Sequence, residues 1–321
     1  MVKRIARHVD PLVRLLLVAI LLATFLPVTG EWRPTAQFIS NAAVFLLFFL
    51  NGLRLPRDEV LRGIGNWRFL APLVAWCFGA MALAGWGAAH LAAGLLPPAV
   101  ALGFLYLGTL PSTVQSATAY CSIARGNVAS SVVAAALLNI LGVFVTAPLF
   151  SALAGSRGVG IDTDGLVKVA LILLLPFLIG QVAQHRFGHF VKEHRDLATW
   201  MDRTSIAIAV YVAFSGAVEQ GIWDKLDLSA WAGLLGFVMA LLAIGFGGSW
   251  LLGGVVGITR GDRIALMFSG GQKSIAMGAP LAAVLFPPAL AGIVLLPVLT
   301  YHLLQLILSA PLAARLARHH P

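Results

Sequence analysis

Apolar stretches of about 20 residues recur along the whole length of this chain. A helix of that length crosses the roughly 30 Å hydrocarbon core of a bilayer. Hydrophobic residues make up 59% of the 321 positions and charged residues 11%, whereas soluble domains carry about 25% charged residues. Because a helix satisfies its own backbone groups in lipid, we expect an all-α integral membrane protein.

Ten apolar spans can be placed by their length and by the polar turns between them. They lie at approximately 11–29, 36–54, 69–94, 99–122, 128–152, 165–185, 204–222, 229–257, 262–286 and 288–312. With this assignment, 17 of the 22 Lys and Arg residues fall on one side, four fall on the other, and Lys273 lies inside a span. The positive-inside rule then predicts that both termini are cytoplasmic. In a bacterium the expected location is the inner (cytoplasmic) membrane, since barrels span the outer one.

The net charge of +9 is spread over short loops rather than gathered in an arm or a stripe. Topology accounts for it, so the expected partner is the lipid bilayer and not nucleic acid. The two cysteines, Cys77 and Cys121, lie in apolar segments without metal-ligand spacing and are interpreted as packing residues. The sequence shows no phosphate loop, nucleophile with its base, or metal cluster. We therefore expect neither an enzyme nor a cofactor.

Two spans are interrupted at corresponding positions, span 4 at 108–116 and span 9 at 269–274. Pro111 removes a backbone donor in the first, and a glycine pair weakens the second. Broken helices at matching positions of two halves indicate the binding site of a secondary transporter. The expected organisation is a single transmembrane transporter domain over the 321 residues, with inverted five-helix repeats at about 11–152 and 165–312.

The two interruptions carry many uncharged oxygen donors for their depth. They are Thr109, Ser112, Thr113, Gln115, Ser116, Thr118, Gln272 and Ser274. One such stretch alone would favour ordinary hydrogen bonding between helices, whereas two at symmetric positions favour a binding site. On span 10, His302 and Gln305 are three residues apart and share a face. We predict substrate contacts at Thr113, Lys273, Ser274, His302 and Gln305.

Lys273 lies 11 positions into span 9, about 16 Å along the helix axis. Its stem is too short to reach the interface, and an ionisable residue at this depth is functional by default. It can act as a proton carrier or as a fixed cation; the alternative is a lysine neutralised by carbonyl groups at the helix break. Among the carboxylates, Glu219 alone falls inside a span, about a turn from its end, as an interfacial residue or a partner of Lys273.

Four segments of the chain form a set of motifs: 110–116 (LPSTVQS), 123–128 (IARGNV), 268–274 (FSGGQKS) and 301–305 (YHLLQ). These motifs resemble the bile acid/sodium symporter family. The resemblance implies a core of spans 3–5 and 8–10, a panel of spans 1, 2, 6 and 7, and broken spans 4 and 9 that cross. It also implies transport of organic anions with sodium, and it places sodium ligands at Gln115, Ser116, Ser131 and Gln272.

Three positions depart from the family pattern. Phe268 replaces an acidic ligand, Ala135 replaces a threonine, and Lys273 replaces an asparagine. We therefore hypothesise that the Lys273 ammonium replaces one sodium and helps to attract an anion. The expected function is secondary transport of small organic anions by alternating access, coupled to sodium or protons, by a monomer or homodimer. The alternative is a membrane scaffold or regulator that keeps the transporter fold without transport.

Overall fold

The computed structural model describes residues 10–54, 65–155, 167, 170–224 and 226–318. Most of these residues are helical, and π-helical segments at Trp76–Ala80, Ala170–Leu174 and Ile244–Gly248 interrupt or precede α-helices. The α-helices in the described ranges are α1 (Pro11–Phe25), α2 (Trp32–Arg54), α3 (Trp67–Ala75), α4 (Met81–Ala92), α5 (Pro98–Thr109), α6 (Gln115–Ile123), α7 (Val128–Ala154), α8 (Leu175–Glu193), α9 (Arg195–Glu219), α10 (Leu228–Ala243), α11 (Ser249–Val256), α12 (Arg260–Gly271), α13 (Ile275–Leu285) and α14 (Pro288–Arg318).

Six helical stretches of the described chain are long and apolar enough to cross a membrane. The protein is therefore a multi-pass, helical membrane protein, as the composition predicts. Two shorter apolar helices are α1 and α5. The six stretches are Trp32–Arg54, Trp67–Ala92, Val128–Ala154, Ala170–Glu193, Leu228–Val256 and Pro288–Arg318.

Several helix boundaries differ from the predicted spans, and the two largest differences concern α8 and α9. The helix at the predicted span 204–222 runs from Arg195 to Glu219, and the helical stretch at the predicted span 165–185 is described from Ala170 and continues to Glu193. The apolar pattern marks only the part that suits lipid, whereas Asp196 in the first turn of α9 favours an earlier start because it complements the helix dipole. Part of the charge count behind the predicted orientation lies outside the described residues: Lys3, Arg4, Arg7, Arg57, Arg62, Arg157, Lys168 and Lys225.

Unit 1 of the chain comprises Met1–Leu55, Asp162–Lys225 and Ala279–Ile293. Within it, α2 packs closely on α8, because a side chain on Gly52 or Gly180 would overlap the backbone of the other helix. Two ion pairs join its helices: Arg33 of α2 donates to Glu219 of α9, and Arg54 donates to Asp202 at 2.6 Å.

Unit 2 comprises Pro56–Ile161, Leu226–Gly278 and Val294–Pro321. It holds α3 to α7 and α10 to α12, with the greater part of α14. Spans 3, 4, 5 and 8 of the expected core fall in it, whereas Ala279–Ile293, from spans 9 and 10, groups with unit 1. Both predicted interruptions start in unit 2.

Candidate functional site

Both predicted interruptions are present, and both are shorter than predicted, because 108–109 and 115–116 are helical at the first and 269–271 at the second. The helix of span 4 ends at Thr109 and resumes at Gln115, and that of span 9 ends at Gly271 and resumes at Ile275. Pro111 has no N–H to continue the first helix. The non-helical residues at the two places, 110–114 and 272–274, are called the first and second break below.

The two breaks contact each other within unit 2. The Ser274 N–H donates to the Pro111 carbonyl at 2.9 Å. The hydroxyls of Thr113 and Ser116 both donate to Gln272 Oε1 at 2.6 Å. Three neutral oxygens thus converge where the breaks meet, and this brings together one predicted substrate residue and two predicted ion ligands.

Lys273 is buried, with 1% of its surface exposed. Its Nζ donates to the carbonyls of Cys77 at 3.1 Å, Gly108 at 2.9 Å and Leu110 at 2.6 Å. An ammonium has three N–H groups, so all its donors are used. The Gly108 and Leu110 carbonyls are available because the first break leaves them without helical partners, and Cys77 lies in the π-helical segment Trp76–Ala80. We call these three carbonyls the carbonyl cage.

The cage is the arrangement that the alternative interpretation of Lys273 predicts, since backbone oxygens surround the charge. Glu219, considered as a partner of Lys273, accepts from Arg33 within unit 1. Cys77, interpreted as a packing residue, is buried as expected, but its carbonyl takes part in the site.

Gln305 of α14 holds the backbone of the second break. Its Oε1 accepts from the Lys273 N–H at 2.8 Å, and its Nε2 donates to the Lys273 carbonyl at 3.0 Å. The same Nε2 lies 2.8 Å from His302 Nδ1. One side chain therefore satisfies both backbone groups that the break exposes and joins them to an imidazole.

The other predicted site residues have more local positions. Thr113 and Ser274 also cap the helices that follow them, because their oxygens accept from the N–H of Ala117 and Met277 at 3.2 Å. Ser131 contacts Thr118 at 3.3 Å rather than the oxygens on Gln272. Gln115 is exposed in the first turn of α6. The four predicted ion ligands are thus only partly gathered.

Two contributors were missed by sequence reasoning. Ser309 accepts from Gln272 Nε2 at 3.0 Å, and its position four residues after Gln305 could have indicated it, since such residues share a helix face. Tyr106 donates to the Gly278 carbonyl at 2.7 Å. A tyrosine in an apolar span is common, so no sequence pattern indicates that role.

A second polar cluster lies at the other end of α12. The Asp262 carboxylate accepts from Asn127 Nδ2 at 2.8 Å, Ser130 Oγ at 2.7 Å and Thr259 Oγ1 at 2.9 Å. Asn127 ends the turn of the 123–128 motif, where Arg125 has a φ of 58°. α6 and α12 are therefore joined at both ends, by Gln272 at one and through this turn at the other.

The chain belongs to the SBF-like CPA transporter family, whose sequence profile matches residues 10–318. Family members are transporters rather than enzymes, and the resemblance to bile acid/sodium symporters is confirmed.

Among its relatives is the uncharacterized protein PA2026 of Pseudomonas aeruginosa, 37% identical over 94% of this chain and 91% of the relative. YfeH of Escherichia coli K12 is 35% identical over 98% of this chain and 95% of its own length. Sodium/bile acid cotransporter 7 of Rattus norvegicus is 22% identical over 88% and 84%.

Proposed function

We propose that the protein is an ion-coupled secondary transporter of small organic anions that works by alternating access. The observation that carries the proposal is the contact between two helix breaks at Gln272, beside a buried ammonium. Irregular backbone at membrane depth is tolerated where it is enclosed by protein or lines a cavity, and in transporters it forms the substrate and ion sites.

The proposed architecture has ten transmembrane helices in two inverted repeats. The six long stretches, the two broken helices, α1 and α9 would together supply that number. The termini are proposed to be cytoplasmic and the membrane to be the inner membrane of a bacterium. The two repeats, at about 11–152 and 165–312, each contain one break, which supports the inverted arrangement.

The proposed substrate is an anion because the breaks concentrate positive potential. The Lys273 ammonium has carbonyls rather than carboxylates as its hydrogen-bond acceptors. α6 and α13 begin at the two breaks, and the N-terminal end of a helix favours negative charge. Thr113 and Ser274, at these helix starts, are proposed to contact the substrate together with His302 and Gln305.

The Lys273 ammonium is proposed to take the place of one transported sodium. Carbonyl oxygens are the ligands that hard cations prefer, and a covalently attached cation cannot leave with the substrate. Gln272, Ser116 and Ser131, with Gln115 nearby in sequence, remain as candidate ligands for a mobile ion. A rat relative is named a sodium/bile acid cotransporter, so sodium is one candidate co-substrate, and a proton is the other.

The proposal is tested by uptake of ¹⁴C-labelled mono- and dicarboxylates into proteoliposomes under an inward sodium gradient, an inward proton gradient or no gradient. We expect one of the gradients to drive accumulation of at least one anion. Thr113→Val should lower the initial rate about 10-fold, because it removes a hydroxyl from Gln272 and about 1.4 kcal/mol corresponds to that factor.

Ser151→Ala is the matched control, because it removes a hydroxyl bonded within α7 to the Ala147 carbonyl. It should transport as the natural chain does. Folded protein that shows no gradient-driven accumulation of any anion would contradict the proposal and favour the scaffold or regulator.

A further inference from the structure

The orientation of the Gln305 amide determines the proton state of His302. The Lys273 N–H can only donate, so the amide atom that faces it at 2.8 Å must be the oxygen. The amide nitrogen therefore faces both the Lys273 carbonyl and His302 Nδ1. Because an amide NH₂ only donates, Nδ1 must accept and carries no proton. His302 is then a neutral imidazole with its proton on Nε2.

We infer that His302 Nδ1 is a proton-binding site, and that proton binding there releases the second break. This inference rests on the proposed function, in which it makes the proton the driving ion. A proton on Nδ1 would face the N–H of Gln305 at 2.8 Å, donor against donor. Gln305 cannot turn over to accept it, since its NH₂ would then oppose the Lys273 N–H.

Protonation therefore removes part of the Gln305 hydrogen bonding in every arrangement. Gln305 must leave the imidazole or leave the Lys273 backbone. If it leaves the backbone, two polar groups of the break are freed, and a buried polar group without a partner is unfavourable. The proton is thereby coupled to the conformation of the segment that joins α12 to α13.

Imidazole is the side chain whose ordinary titration range includes neutral pH, and ionisable residues at membrane depth mark proton pathways. The other titratable groups described around the breaks already have partners. The Lys273 ammonium lies in the carbonyl cage, and Asp262 lies at the far end of α12 with neutral donors. The phenols of Tyr106, Tyr120 and Tyr301 donate to the carbonyls of Gly278, Leu306 and Gly271.

The first test measures the unfolding midpoint of the purified full chain from pH 8 to pH 5. His302→Asn offers an amide oxygen near the Nδ1 position and does not titrate, so it is the matched variant. Relative to His302→Asn, the natural chain should lose about 2–4 °C on acidification, the effect of one lost buried hydrogen bond. Taking the difference between the two proteins cancels every other titrating group.

His302→Leu supplies no acceptor and should have a lower midpoint than His302→Asn throughout the pH range. NMR of the ¹⁵N-histidine-labelled chain at pH 8 should show an unprotonated Nδ1 for His302. The signal of His302 is identified as the one that His302→Asn lacks. Equal pH profiles for the natural chain and His302→Asn, or a proton on Nδ1 at pH 8, would overturn the inference.

The role of the proton in transport is tested with the proteoliposomes. His302→Asn should lower accumulation driven by a proton gradient by a much larger factor than it lowers anion exchange without a gradient, since a role in substrate contact alone would lower both equally. Retained proton-driven accumulation would exclude His302 as the coupling site. If no anion is transported by the natural chain, the proposed function fails, whereas the pH profile and the NMR signal still decide whether His302 binds the proton.

Discussion

The two units of the chain accommodate charge in opposite ways. Unit 1 pairs Arg33 with Glu219 and Arg54 with Asp202, whereas unit 2 surrounds the Lys273 ammonium with backbone carbonyls. The paired side chains keep between 17% and 30% of their surface exposed, while Lys273 keeps 1%. Partial exposure lowers the desolvation cost of bringing two opposite charges together. Deep in the protein a second ion would cost several kcal/mol, and neutral dipoles replace it.

Removing the cation from the carbonyl cage is the most direct test of this difference between the units. Lys273→Ala leaves three buried carbonyls without a donor and should lower the free energy of unfolding by about 3–5 kcal/mol. If the cage recognises a cation as such, methylammonium or sodium should bind the variant and raise its unfolding midpoint by mass action.

Lys192→Ala, which removes an exposed lysine of α8, is the control and should gain nothing from methylammonium. An equal response of the natural chain, Lys192→Ala and Lys273→Ala to methylammonium would mean that the cage does not bind free cations.

A smaller effect is expected from the Arg54–Asp202 pair. Asp202 precedes the predicted span 204–222, and burial raises the pKa of its carboxyl to about 6 despite the opposing Arg54 charge. The folded chain then holds this proton more tightly than the unfolded chain, so stability falls as the pH rises from about 4 to about 6 and is level above. The loss should be about 2–3 kcal/mol.

Asp202→Asn should remove that decline from a series of unfolding midpoints measured against pH. A variant that keeps it would show that another group is responsible. The change in stability with pH that Asp202 causes is opposite in sign to the one expected for His302, whose contribution to stability weakens as the pH falls. The two variants therefore distinguish the units by the pH dependence of their stability.

The smallest effect is expected at the Arg33–Glu219 pair, which is the more exposed of the two. Glu219→Gln should change the free energy of unfolding by less than about 1 kcal/mol, and less still in high salt. Denaturant unfolding at low and high ionic strength measures both quantities. A loss of more than about 2 kcal/mol would show that the two pairs do not differ as their exposure indicates.

The sequence predicted the breaks because Pro111 and the glycine pair act locally. Lys273 stood out in the sequence because a cation at this depth is unusual, and the structure shows it to be buried. The partners of Lys273 could not be predicted, because they are carbonyls and every residue has one. Cys77 contributes through a π-helical segment, and an extra residue in a helical turn leaves no pattern in composition or hydrophobic period.

The polar side chains at the breaks were predicted as a group but not as pairs. The spacing of His302 and Gln305 placed them on one face, and the structure adds Ser309 on the same helix. Which oxygen meets Gln272 depends on how α6 and α12 pack, so Thr113 and Ser116 are found there while Ser131 contacts Thr118. The sequence alone could not decide which of the predicted residues contact Gln272.

A cage of main-chain oxygens has a consequence for how this site can vary among descendants of one ancestral gene. A substitution at Leu110 leaves its carbonyl in place, so this position can vary as far as the cation is concerned, whereas Cys77 also contacts the ammonium with its Sγ at 3.7 Å. Gly108 is restricted for another reason, because a Cβ there would lie 2.6 Å from the Met81 carbonyl. A relative that shares the caged cation would therefore be recognised by a lysine after the second-break glutamine and a glycine before the first break, with little else in common.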